Sequence, residues 1–205
     1  MKARRGIMHS EVPQSDPVTN RNRGIQLWVA LPQANLNDEP KYQDILSQDI
    51  PAVQPAKGVT IKVISGESFG ISAPIPTCAA VHYLDVLLQK GAKIQHPIPE
   101  GYNAFVHTLA GTGLVGGQKV GPHDTTFFTR RGDFVELGNT GDEPTHLLLL
   151  SGEPLDGQEV FSMGPFISTT RGGLDKKVSD YRAGVDSFEG VHSWNSKKTF
   201  NFNLT

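Results

Sequence analysis

The chain has 205 residues, long enough to bury a core without covalent staples, and its 19 Lys and Arg against 21 Asp and Glu give a formal net charge of -2, which excludes a global basic field for nucleic acid. Its single cysteine, Cys78, excludes an intrachain disulfide and a Cys-rich zinc site and is read as a small buried hydrophobe. The basic start Met1-Lys2-Ala3-Arg4-Arg5 is not followed by a secretory apolar run, and nothing approaches the roughly 18 consecutive apolar residues of a membrane span, so the expectation is a soluble intracellular protein.

In chain order, the first informative element is Gly6-Ile7-Met8-His9-Ser10-Glu11-Val12-Pro13. On a strand, side chains alternate faces, so His9 and Glu11 would point the same way and offer one cation an imidazole nitrogen and a carboxylate oxygen. Histidine plus carboxylate suits non-haem Fe(II) and related first-row metals, and two donors make half a site. A strand is expected at Ile25 to Leu31, followed from Pro32 to Lys57 by polar sequence read as an interdomain connection with a short helical turn around Tyr42 to Ser47.

Glycine (22) and proline (14) then cut the chain into short apolar runs, the punctuation of an all-β barrel or sandwich. Strands are expected at Val59 to Ser65, His82 to Leu88, Ala104 to Leu109, Thr125 to Thr129, Asp133 to Leu137 and Thr145 to Ser151. Gly111, Gly113 and Gly116 have the spacing of a dinucleotide fingerprint, but Gly117-Gln118-Lys119-Val120-Gly121-Pro122 cannot open the required helix, so a glycine-rich hairpin is expected instead. Leu174, Val178 and Tyr181 predict a surface helix over Leu174 to Ala183, and the tail from Ser193 is polar. His82, His107 and His146 read as hydrogen-bonded barrel histidines, and His96 has no second histidine two residues away to form a site.

The words around these elements resemble pirins, a family of two-barrel proteins. Residues Met1 to Pro13 look like the family's second metal motif, and Gly24-Ile25-Gln26-Leu27-Trp28-Val29 is similar to the next strand. Glu39-Pro40-Lys41-Tyr42-Gln43, Val63-Ile64-Ser65-Gly66-Glu67, Tyr83-Leu84-Asp85, Gly91-Ala92-Lys93, Pro97-Ile98-Pro99-Glu100-Gly101, Gly152-Glu153-Pro154-Leu155, Gly164-Pro165-Phe166 and Phe188-Glu189 follow in pirin order. The chain departs from the pattern at Arg4, where the family has a glycine, and at Lys2, where it has a small hydroxyl residue.

The resemblance implies an all-β cupin fold, the double-stranded β-helix or jelly-roll barrel. Residues 1–35 would be the carboxy-terminal remnant of an amino-terminal metal-binding cupin, 36–58 the interdomain connection, 59–190 a complete carboxy-terminal cupin without metal, and 191–205 a polar tail. It implies Fe(II) held by three histidines and a glutamate, with His9 and Glu11 matching the last histidine and the glutamate. The other two ligands belong to an upstream His-x-His that this sequence does not contain, so iron binding by this chain is expected to be weak or absent. The implied function is an iron-binding regulator, similar to nuclear cofactors of transcription factors including the NF-κB family. The alternative is a quercetin 2,3-dioxygenase taking a flavonol, and a further alternative is a truncated, metal-deficient pirin with neither activity. Transcription regulators or a flavonol would be the partners, without direct nucleic-acid or membrane binding, in the nucleus, the cytoplasm or both.

Overall fold

The computed structural model describes residues 1–11 and 23–195. Val12 and Pro13 of the metal motif and residues 196–205 of the polar tail lie outside the described residues. The chain divides into two compact units, one from Asp44 to Asp156 and one joining Met1–Gln43 to the chain from Gly157 onward.

The first unit is a barrel of two facing antiparallel sheets. Six strands, β1 (Ala52–Ala56), β2 (Val59–Ser65), β5 (Val81–Leu88), β7 (Asn103–Ala110), β10 (Thr125–Phe127) and β12 (Thr145–Gly152), are laid side by side in the order β1-β2-β5-β12-β7-β10. Four more, β6 (Lys93–Pro97), β8 (Gly113–Val115), β9 (Gln118–Val120) and β11 (Phe134–Asn139), follow the order β6-β11-β8-β9. A separate two-stranded hairpin is made of β3 (Glu67–Ser68) and β4 (Ile71–Ser72).

Alternation along the strands builds the core. Val59, Ile61 and Val63 of β2, Leu84, Val86 and Leu88 of β5, and Leu147 and Leu149 of β12 meet Val115, Val135 and Leu137 of the smaller sheet, all essentially inaccessible to solvent. Each such side chain contributes on the order of 1.5–3 kcal/mol by leaving water. In β12, at the centre of the larger sheet between β5 and β7, the run Leu147-Leu148-Leu149-Leu150 is buried on both faces.

The glycine-rich stretch forms the expected hairpin. β8 and β9 are joined by Gly116 and Gly117, both with positive φ (57° and 79°), the combination a two-residue type I′ turn demands. A side chain at Gly113 would collide with the Gly138 carbonyl across the ladder, so that glycine serves strand approach, and no helix opens there to hold a pyrophosphate.

Two local expectations are corrected. Ile25 to Leu31 is not a strand: no strand among the described residues runs beside it, and alternation without a ladder partner leaves backbone groups that do not hold an extended conformation in a sheet. Ile25, Trp28 and Val29 are exposed. The helical turn expected around Tyr42 to Ser47 comes later, as a 3-10 turn at Ser47–Asp49; another lies at Gln33–Asn35, and the stretch then enters β1, whose Val53 pairs with Ile61.

The second unit carries the hairpin β13 (Phe161–Met163) and β14 (Phe166–Ser168) and one helix, α1 (Arg171–Ala183). The Thr170 hydroxyl caps α1 by accepting from the Gly173 N–H at 3.0 Å, and Gly184, in the left-handed region at φ 66°, ends it. Leu174 and Val178, four residues apart, are buried, and Tyr181 joins Phe166 and Phe188 in a three-ring cluster with centroids 5.4–5.9 Å apart. The chain start is tied into this unit: Lys2 and Lys41 exchange backbone hydrogen bonds of 2.7 and 3.0 Å, and Lys177 Nζ donates to the Arg4 and Arg5 carbonyls. No helix among the described residues is long and apolar enough to cross a membrane.

Candidate functional site

His9 and Glu11 are both exposed, in a segment from Ile7 to Glu11 that forms no strand, so the alternation that would set them on one face does not operate. The Glu11 carboxylate accepts a hydrogen bond from the Gln26 side-chain amide. Among the described residues no three His, Cys, Asp or Glu side chains converge in a way that could hold a metal ion. The described residues therefore do not by themselves compose a metal centre: one imidazole and one carboxylate already engaged by an amide fall short of a ligand set.

Just upstream, Arg4 adopts φ 50°, the left-handed region that L side chains enter at a cost. That is the position at which the sequence departs from a glycine. Its guanidinium donates to the Glu39 carbonyl at 2.9 Å and lies 3.7 Å from the Asp38 carboxylate, while Arg5 pairs with Glu39 at 2.7 Å.

The barrel unit has a second concentration of polar groups that sequence reasoning did not bring together. His82 has the parity of Leu84, Val86 and Leu88 along β5, and His96 the parity of Ile94 along β6, so both turn toward the barrel interior. His96 is 2% exposed; its Nε2 lies 2.9 Å from the Ser68 hydroxyl of β3 and the Phe69 ring stands edge-on to it at 5.3 Å. Its Nδ1 is buried without a partner in hydrogen-bond geometry, the Pro97 backbone being the nearest group acting on it. His82 Nδ1 lies 3.0 Å from the Ser151 hydroxyl, with Tyr102 packed 6.1 Å from the ring.

Burial lowers the pKa of both imidazoles. His96 falls to about 4, chiefly by desolvation and further by the nearby His82, with the Pro97 backbone opposing. His82 is lowered by desolvation, with Glu67 opposing. Strand parity was the signal that could have found the pair, because His82 and His96 continue rows of core residues.

His107 and His146 are hydrogen-bonded on the strands, as expected: His107 Nδ1 lies 2.8 Å from the Thr125 hydroxyl, and His146 Nε2 2.7 Å from the Asp85 carboxylate. Cys78, expected to be buried, is only half-buried, because it falls in the irregular stretch between β4 and β5 instead of on a core-facing strand.

Residues 83–188 match the pirin C-terminal cupin domain. The chain is 39% identical over 202 residues to pirin from Rattus norvegicus, covering 96% of this chain and 67% of that protein, and 36% identical over 204 residues to pirin-like protein 2 from Arabidopsis thaliana, covering 96% and 62%. Among solved structures, a quercetin 2,3-dioxygenase from Acinetobacter baumannii superposes with a TM-score of 0.70 at 29% identity, covering 77% of this chain and 54% of that one. The chain thus spans about two thirds of the curated relatives and about half of the solved dioxygenase. With its all-β barrel and these matches, the chain belongs to the pirin family, and its fold is that of a cupin.

Proposed function

We propose that this chain is a regulatory pirin acting through protein partners, with His9 and Glu11 serving as metal ligands only when further donors from upstream sequence join them. The observation that carries the reading is the state of the two residues: both are exposed, and no third metal-capable side chain converges on them among the described residues. Residues 1–35 then belong to an amino-terminal cupin, a reading supported by the 67% span of the rat relative and by the exposure of Ile25, Trp28 and Val29, apolar side chains that a completed barrel would cover. Imidazole and carboxylate donors completed from upstream would suit Fe(II), and the partners are transcription regulators in the nucleus or cytoplasm.

Elemental analysis after dialysis tests the metal assignment. A version extended upstream to include the family's His-x-His should retain iron near one equivalent, and His9→Ala and Glu11→Ala should each weaken it by several kcal/mol, on the order expected when a metal site loses a ligand. The chain as given should retain little, and His96→Ala should change nothing in either length. Stoichiometric iron in the short chain that survives the loss of His9 would move the site elsewhere.

The second reading, flavonol dioxygenation, is favoured by the 29% identical Acinetobacter baumannii enzyme, whose name is quercetin 2,3-dioxygenase. Oxygen uptake with quercetin by the iron-loaded extended protein separates the two. An inert loaded protein leaves the regulatory role.

A further inference from the structure

The hairpin of β3 and β4 pairs with neither of the barrel's sheets. Its base is closed by the Ala73 N–H donating to the Gly66 carbonyl at 2.8 Å, and its tip, Phe69-Gly70, has both residues at positive φ (47° and 78°). Phe69 therefore occupies a left-handed conformation that a bulky side chain adopts only when its surroundings hold it. Those surroundings centre on His96: Ser68, 2% exposed, meets its Nε2 at 2.9 Å, and the Phe69 ring stands at 86° to the imidazole. The turn cost at Phe69 is offset by these imidazole contacts, while Ile71 and Ala73 anchor the other arm of the hairpin against the core.

We propose that the hairpin Glu67–Ser72 is a proton-gated lid over His96, latched to the barrel unit by the contact of Ser68 with His96. Opening the lid returns His96 to water and uncovers the nitrogens of His82 and His96 beside Ser151. Closed, His96 is held neutral to about pH 4; open, it titrates near its ordinary 6.5. The open form therefore binds more protons between these values, and acidification favours opening.

The charged and titratable groups facing this latch are Glu67 on β3 itself and His82 on β5, with Tyr102 beside His82. The residue paired with His96 on β11, Val135, carries no charge. Glu67 acts on His82 and His82 on His96, so the coupling runs through the imidazole pair.

Hydrogen exchange followed by mass spectrometry on the whole chain tests the lid. Protection in a peptide spanning 66–73, corrected for intrinsic exchange, should fall about tenfold between pH 7.5 and 5.5, while peptides within β5 and β12 keep theirs. His96→Gln, which keeps a neutral hydrogen-bonding head, should abolish that pH dependence. Ser68→Ala should lower hairpin protection several-fold at pH 7.5 already. A flat pH profile in the unsubstituted chain, parallel loss in β5 and β12, or a slope surviving His96→Gln would each overturn the proposal. If His96→Gln does not fold, undiminished hairpin protection in Ser68→Ala overturns it alone.

Discussion

At Arg4 two effects of similar size oppose each other. The left-handed backbone costs on the order of 1 kcal/mol for any L side chain, while the guanidinium's contacts with Asp38 and the Glu39 carbonyl, partly exposed, contribute at most about as much. Arg4→Gly removes both and should leave stability within about 0.5 kcal/mol of the parent. Arg4→Ala keeps the strained φ and loses the contacts, so it should be less stable than Arg4→Gly by about 1 kcal/mol, read from urea midpoints at constant m. Equal stability of the two variants would mean that the backbone relaxes out of the left-handed region.

His96 makes a second residue-level prediction, about acid. Its folded pKa lies below its unfolded value, so between pH 6.5 and about 4 the unfolded chain binds the extra proton, and stability present above 6.5 is lost as pH falls. His82, also lowered, acts in the same direction. The His96 contribution lost by pH 4.5 is roughly 2–3 kcal/mol. Urea unfolding at pH 7.5 and 4.5 should show a smaller difference in His96→Gln than in the parent by about that amount.

At the scale of elements, α1 depends on its cap. Removing the Thr170 hydroxyl leaves the Gly173 N–H without its acceptor, so Thr170→Ala should cost about 1 kcal/mol in thermal or urea unfolding, and Thr170→Ser much less. This helix was legible in the sequence because Leu174, Val178 and Tyr181 recur at helical spacing, though its first turn, Arg171-Gly172-Gly173, carries no apolar signal. The core-facing strands β2, β5 and β7 were legible by alternation and β12 by its apolar run, whereas β6, Lys93-Ile94-Gln95-His96-Pro97, has one aliphatic residue and was not. β1 was not, because Ala52-Val53-Gln54-Pro55-Ala56 includes a proline and little apolar surface, a composition an edge strand tolerates. β3, β4, β13 and β14, of two or three residues each, are too short to show a period. Ile25 to Leu31 shows the opposite failure: strand composition is a local property, whereas a strand requires a neighbour. At the candidate site, the family words carried His9 and Glu11, while the His82 and His96 pair required a register that no single segment encodes.

The whole barrel unit rests on one core to which both sheets contribute, so damage there should be felt throughout it. Leu149 is fully buried on β12, between β5 and β7. Leu149→Ala should cost about 2–5 kcal/mol, and exchange protection should fall together in β2, β5, β7 and β12. A loss confined to β12 would show that the larger sheet does not open as a unit.

The order of strands also sets a timetable for a nascent chain. β5 must wait for β12 to be made before its ladder from Val81 to Leu88 is complete, some sixty residues of synthesis later, and such distant pairings close slowly. The other unit waits longer. Met1–Gln43 leaves the ribosome early, yet the groups that hold it, among them Gln158 on the Leu31 carbonyl and Lys177 on Arg4 and Arg5, are translated only after the barrel. The Leu31, Arg4 and Arg5 carbonyls therefore spend that interval without their folded partners, and it is during synthesis, more than in the finished protein, that this segment is open to wrong pairings.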